Sequence, residues 1–511
     1  MSKRVYSNSQ KATLNTVTNI ALKLIALFSA FITKTIMIKS LGIEYAGLSS
    51  LFSDILTVFS FAELGIGSAI IFELYKPIQE KDYRKIAQLM NFYKRAYQTI
   101  GLGILIVGLS LIPVLPSLVS NVPNVHEDLT IIYTFYVLNT VISYFLIYQA
   151  SLLTASQENY IISFIQGITS ILRLIIGSFI LLVFHNFLLY LFLDICLLVI
   201  QNILVYMIAD KKFLEIRRFK NETLPKQEKK VLFGNVGALA LYQVSNVILN
   251  STDSIVISTI IGTGAVGLFS NYRLIIRSVD NFLSQITVSI TPTLGNLAIS
   301  QNNNQYKIFI HVNFLVYYLT MNSSLLLYFL TEPFIHLWLG EKYIMSQTLL
   351  LGFVSDFFLL NMIRPVASFR NANGMFTQGK YRPLVMSIMN IVFSIVFVKY
   401  FGMSGVIWGT AISRLLTQVW FDPAIVYKHI FKKRIIPYFI NLILQILLTV
   451  LIGIIIEWVI IALSLNSPSV LNLVLKTIVI LVISNLIFLF CFRKNDEFKV
   501  VIELVKRYLK R

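Results

Sequence analysis

Runs of about 20 apolar residues, the length that crosses a bilayer, recur along almost the whole 511-residue chain. In lipid every backbone N–H and C=O must find a partner inside the protein, and a run of that length does so only as a helix. Hydropathy windows place about fourteen spans, near 14–37, 46–71, 96–115, 129–153, 160–184, 187–209, 234–260, 266–290, 307–331, 346–363, 383–398, 405–427, 435–463 and 471–492. Charged residues make up 13% of the chain, against about 25% in soluble domains. No polar stretch is long enough to form a separate soluble domain. The expected fold is an all-α polytopic membrane protein. The first run reads as a span rather than a cleaved leader, because it contains Lys23 and Lys34 and lacks a small-residue cleavage site.

Basic residues orient the chain. With the N-terminus inside, only Lys39, Lys342 and Lys399 of the 43 Lys and Arg fall in external loops. The positive-inside rule then puts both termini in the cytoplasm of a cell membrane. The net charge of +19 is explained by basic loops facing anionic membrane lipids and calls for no nucleic acid. The basic stretch 72–95 alternates cationic and apolar residues, as an interfacial helix lying on lipid does.

The chain also repeats itself. LGIEYAGL (41–48) links the first two spans, and IGTGAVGL (261–268) links the seventh and eighth. At a constant offset Gly42 matches Gly262, Gly47 matches Gly267 and Leu48 matches Leu268. FGMSGV (401–406) is a looser relative. Both closer copies follow an odd span, so the repeats are parallel and six spans long. The division is 1–210 for the first lobe, 211–430 for the second, and 431–511 for two extra spans and a basic tail. GTGAVG (262–267) matches a dinucleotide fingerprint in form, but it lies in a tight turn between two membrane helices, without a βαβ unit.

Charges inside spans cost about 2.5–3.5 kcal/mol each at a helix centre and face a bundle interior or a wet cavity. In the eighth span Arg273, Arg277, Asp280 and Ser284 form one stripe. In the seventh, Gln243, Asn246, Asn250 and Asp253 share a face. Lys23 and Lys34 are about three helical turns apart in the first span and point the same way. Ser50, Asp54 and Thr57 align in the second span, and Gln166, Ser170, Arg173 and Gly177 in the fifth. Arg414 and Asp356 lie in the twelfth and tenth. The expectation is that Lys23, Lys34, Arg173, Arg273 and Arg277 serve a cavity for an anionic group, which arginine grips with its planar fork. Asp54, Asn250, Asp253 and Asp280 would neutralise those cations or couple an ion. The competing reading is local pairing, for example Arg277 with Asp280. Lys476 and Glu457, in the extra spans, are read as structural, with Lys476 reaching out to the interface.

Catalytic chemistry has no visible basis. The five histidines and two cysteines are scattered without metal-ligand spacing. No phosphate-binding loop of the G-x-x-x-x-G-K-[ST] type occurs. No cofactor or metal is expected.

The run TKTIMIKSLGIEYAGLSSLFSDILTVFSFAELGIGSAI (33–70) resembles the first two spans of bacterial polysaccharide transporters, and DYRKIAQLMNFYKRAY (82–97) resembles the segment that follows. These transporters belong to the multidrug/oligosaccharidyl-lipid/polysaccharide flippase superfamily. The resemblance implies two six-helix lobes plus two extra helices. It also implies a substrate, an undecaprenyl-pyrophosphate-linked oligosaccharide turned from the cytoplasmic to the outer face for capsule or exopolysaccharide synthesis. A polysaccharide polymerase and glycosyltransferases would be its partners. The lipid II flippases share the fourteen-span plan. The drug exporters of the superfamily lack the last two helices. A membrane enzyme of glycan assembly would need its reacting residues in the external loops, which are short here.

Overall fold

The computed structural model describes residues 8–59, 66–120, 125–219, 221–299, 305–375 and 378–500, and not the side chains of 8–13, 16, 68, 230–243, 246, 250 and 286–299. Among the described residues there is no strand. By packing, the chain divides into two compact units, Met1–Gly267 and Leu268–Arg511. The sequence repeat expected at 210/211 is a different division, because the helix that opens the second repeat packs within the first unit.

The first unit contains α1 (Asn8–Ser40), α2 (Ile43–Phe59), α3 (Ile66–Glu80), α4 (Tyr83–Ser110), α5 (Leu115–Leu118), α6 (Leu129–Ile147), α7 (Ala150–Ala155), α8 (Asn159–Phe179), α9 (Phe187–Lys212) and α10 (Lys226–Ile260). It ends in the first turn of α11 (Thr263–Ile299). The second unit holds the rest of α11, then α12 (Gln305–Trp338), α13 (Gln347–Ala372), α14 (Arg382–Phe401), α15 (Met403–Val426), α16 (Ile436–Ala462) and α17 (Val470–Phe492). The expected second span corresponds to α2 and α3, the fourth to α6 and α7, and each other span to one helix. Among the described residues ten helices are long and apolar enough to cross a bilayer. The others that match expected spans (α2, α10, α11 and α15) carry most of the polar stripes.

Helix ends follow local chemistry. Asp82, Asp128, Asn186, Ser346 and Ser469 each accept a first-turn N–H and cap α4, α6, α9, α13 and α17. The repeat glycines Gly42 and Gly262 have φ of 114° and 129°, a region side chains rarely enter. The other matched pair permits close approach. A Cβ on Gly47 would lie 2.0 Å from the Thr263 carbonyl oxygen, and one on Gly267 would lie 2.5 Å from that of Ile43. In this first unit the two copies of the motif therefore pack backbone against backbone.

The basic stretch 72–95 is not a separate interfacial helix. It contains the end of α3, a tight turn at Lys81 and the start of α4, which runs unbroken from Tyr83 into the apolar span. This end of α4 is tied to the linker before α10. Arg84 Nε donates to Glu222 Oε1 at 2.8 Å, Asn91 Nδ2 donates to the Glu222 carbonyl at 2.8 Å, and Lys85 pairs with Glu228. The second unit has an aromatic core, in which Phe309, Tyr317, Phe369, Tyr427, Phe431 and Tyr438 join α12, α13, the turn that follows α15, and α16. Its outward residues are large and apolar, as a lipid-facing surface requires: Tyr400, Trp458 and Phe490 are all highly exposed.

Candidate functional site

The first unit contains an open cavity of about 310 Å³. α1 presents Ser29 and Lys34 to it, α2 presents Ser49 and Ser50, α8 presents Arg173, and α9 presents Tyr190. The position of α1 follows from its own asparagines. Asn15 Oδ1 accepts from the Tyr160 N–H at 2.7 Å, and Asn19 Oδ1 accepts from Ser163 Oγ at 2.6 Å. These bonds fix the register of α1 on α8, so Lys34 and Arg173 open into one chamber. Lys23 is exposed and does not line that chamber.

Arg173 has a partner that sequence reasoning missed. Its Nε lies 2.5 Å from Asp194 Oδ1 of α9. The two atoms are not aligned as a hydrogen bond, so the contact is mainly Coulombic. Asn139 of α6 donates to the other carboxylate oxygen at 3.0 Å. The signal was present, because Asp194 is a carboxylate inside the sixth apolar run.

The aligned Ser50, Asp54 and Thr57 separate in the structure. Ser50 lines the chamber. Asp54 is buried and accepts from Ser254 Oγ of α10 at 2.5 Å. Thr57 lines a second hollow, described below. Asp253, beside Ser254, is also buried. Asn250, Gln243 and Asn246 have side chains outside the described residues.

In the second unit Arg273 is half-buried, with its guanidinium 6.0 Å from the Phe269 ring centre. Arg277 is exposed. Asp280 accepts from Arg364 Nη2 at 2.6 Å and from Asn361 Nδ2 at 3.0 Å. Its cation is therefore contributed by α13, where the local alternative named Arg277. The hydropathy window ends the tenth span at 363, whereas α13 continues through Arg364 and Pro365 to Ala372. Arg414 and Asp356 meet as a two-pronged pair, with contacts of 2.7 and 3.2 Å. Asp422, fully buried, receives Arg370 at 2.7 Å and Arg382 at 3.1 Å, so one carboxylate staples α13, α14 and α15. Lys476 is 8% exposed, with Glu332 nearby, so it is buried in the bundle and does not reach outward.

No protein family and no curated protein matches the sequence. Solved structures do match in fold. A structure of the lipid II flippase MurJ, in an inward closed conformation, superimposes with TM-score 0.65 at 15% identity, covering 94% of this chain and 99% of its own. The chain has the fold of that flippase. An inward-facing multidrug resistance MATE family transporter matches with TM-score 0.59 at 14% identity, covering 78% of this chain and 94% of its own. The Vibrio cholerae MATE transporter VcmN in its bent form gives 0.53 at 16% identity, covering 82% and 97%.

Proposed function

We propose that the protein is a flippase that carries an undecaprenyl-pyrophosphate-linked oligosaccharide repeat unit from the cytoplasmic to the outer leaflet of the cell membrane. Its product would feed capsule or exopolysaccharide synthesis. The observation that carries this reading is the chamber in which Lys34 and Arg173 stand among serine hydroxyls. A diphosphate cannot cross hydrocarbon bare, because an unpaired buried charge is too costly. Cations and hydroxyls replace its hydration, and the prenyl tail stays in lipid. Alternating access would move the headgroup across, helped outward by an inside-negative potential acting on an anion. In this reading Arg273, Arg277 and Lys23 serve the same anion along its path. Asp54, Asn250 and Asp253 balance them or couple an ion, whereas Asp280 is held by Arg364. Both termini are cytoplasmic, where the glycosyltransferases that assemble the substrate work, and a polymerase takes the product outside.

The coverage of the matches supports a flippase over a drug exporter. The MurJ structure accounts for 94% of the chain and the MATE structures for 78% and 82%. That difference also favours one second reading, transport of a lipid II-type peptidoglycan precursor.

Substitution of Arg173 by alanine tests the proposal, with lipid-linked intermediates extracted from the membrane and assigned to a leaflet. Build-up of cytoplasm-facing lipid-linked oligosaccharide supports it. Build-up of lipid II selects the second reading. Build-up on the outer face points to an enzyme of glycan assembly, and normal glycan with new drug sensitivity points to an exporter.

A further inference from the structure

A second hollow of about 240 Å³ lies in the first unit behind the Arg173–Asp194 pair. Ser53 and Thr57 of α2, Tyr136, Asn139 and Thr140 of α6, and Asp194 of α9 line it. Its wall toward the cationic chamber is built from two contacts. One is the ion pair itself, in which Arg173 belongs to the chamber and Asp194 to the hollow. The other joins Ser49 of the chamber to the hydroxyl of Tyr136 in the hollow. The two spaces therefore have opposite chemistry across one thin partition. Among the described residues the chamber has two cations, whereas the lining of the hollow has a carboxylate, an amide, hydroxyls and aromatic rings but no cation.

That lining does not suit phosphate. It suits a sugar. A sugar ring offers hydroxyls that both donate and accept, and one apolar face of C–H groups. Asp194 can only accept, Asn139 can donate and accept, and the aromatic ring of Tyr136 offers a flat surface. Thr57 and Thr140 give their protons to the carbonyls of Ser53 and Tyr136, and each hydroxyl oxygen keeps lone pairs for an incoming O–H. The volume is below the roughly 300–1,000 Å³ of drug-sized sites, so it fits one small ring.

We infer that this hollow is a saccharide subsite for the sugar next to the pyrophosphate, with Asp194 as its central acceptor. The inference rests on the flippase reading and names how that site would grip the glycan. Asp194 holds Arg173 in the empty protein. Phosphate in the chamber takes the guanidinium, a sugar hydroxyl takes the carboxylate, and the partition opens to join the two spaces.

The test uses the full chain in lipid nanodiscs and two probes, undecaprenyl pyrophosphate and undecaprenyl pyrophosphate bearing one N-acetylhexosamine or hexose. The sugar-bearing lipid should bind about tenfold tighter, a step of about 1.4 kcal/mol. Tyr136→Leu and Asn139→Ala should each bring the ratio of the two affinities close to one, and that ratio, not the affinity for the bare lipid, is the readout. Tyr136→Phe, which keeps the ring, should retain most of it. Thr140→Val keeps the side-chain shape and should weaken the preference partially, which provides a reading should Tyr136→Leu fail to fold. No sugar preference in the wild type, or a preference that survives Asn139→Ala and Thr140→Val, overturns the subsite alone. Failure of the wild type to bind either lipid overturns the flippase reading and the subsite with it.

Discussion

Replacing Gly47 with alanine should destabilise the first unit, and replacing Gly103 should not. A Cβ on Gly47 would sit 2.0 Å from the carbonyl oxygen of Thr263 and 3.1 Å from the amide nitrogen of Gly267. Both obstacles are backbone, so no flexible side chain can swing aside, and α2 must move away from the start of α11. Overpacking of this kind costs about 1–3 kcal/mol, and the shortness of the contact puts Gly47→Ala at the upper end. Alanine recovers about 1 kcal/mol of helix propensity over glycine, which leaves a net loss of about 2 kcal/mol. For a unit of this size each kcal/mol moves the midpoint by about 2–4 °C, so Tm should fall by about 4–8 °C. Gly103 lies in α4 with nothing within 4 Å of its would-be Cβ. Gly103→Ala therefore keeps only the propensity gain and should raise Tm by about 2–4 °C. Intrinsic fluorescence melts of both variants in one detergent read the difference directly. Equal midpoints for the two variants would refute the backbone-contact argument, as would a Gly47→Ala protein as stable as the wild type.

Further outcomes follow from the polar contacts. Arg364→Ala leaves the Asp280 carboxylate without its guanidinium and should cost about 1–3 kcal/mol; Asp280→Asn in the same chain should restore much of the lost Tm, and a double variant no better than the single would contradict the pairing. Gln88 and then Arg84 hold the Glu222 carboxyl below its ordinary range. A lowered folded-state pKa gives stability that is present above the ordinary value, about 4.3, and is lost as pH falls through the lower one. The 221–225 linker should thus become more open to protease on acidification into that range, and Glu222→Gln should be cleaved equally at both pH values. Arg414→Leu should destabilise more than Arg414→Leu/Asp356→Leu, because an apolar pair in place of a buried ion pair can be nearly neutral whereas a lone carboxylate is not; a double variant that melts below the single would count against it.

The apolar runs made the order and number of spans legible, because length and hydropathy are properties of one segment at a time. The glycine turns were legible for a similar reason, since the repeat places Gly42 and Gly262 at one structural position. Side-chain partners were less so. A helical wheel says which residues share a face and leaves open which neighbour that face meets. It grouped Arg277 with Asp280, yet the guanidinium on Asp280 comes from Arg364, on another helix. It put Ser50 and Thr57 on one stripe, yet they line different hollows. Asp194 was visible as a carboxylate in an apolar run, but its role depends on α6, α8 and α9 meeting around it. The window that closed the tenth span at 363 left Arg364 outside it, yet α13 continues to Ala372, because hydropathy falls at a charged residue whether or not the helix ends there.

The distance in sequence between Asp280 and Arg364 has a consequence for how the protein is made. The pair spans 84 residues, and at about 5–20 residues per second the ribosome needs roughly 4–17 s to deliver the second partner after the first. During that interval α11 carries Asp280 with α13, the helix of its arginine, still unsynthesised. The bond from Ser254 to Asp54 forms later still, since the serine comes 200 residues after the aspartate. Such helices cannot simply partition one by one into lipid as they emerge. They must be sheltered beside the insertion machinery until their partners arrive, so translation speed between residues 280 and 364 becomes part of the folding pathway.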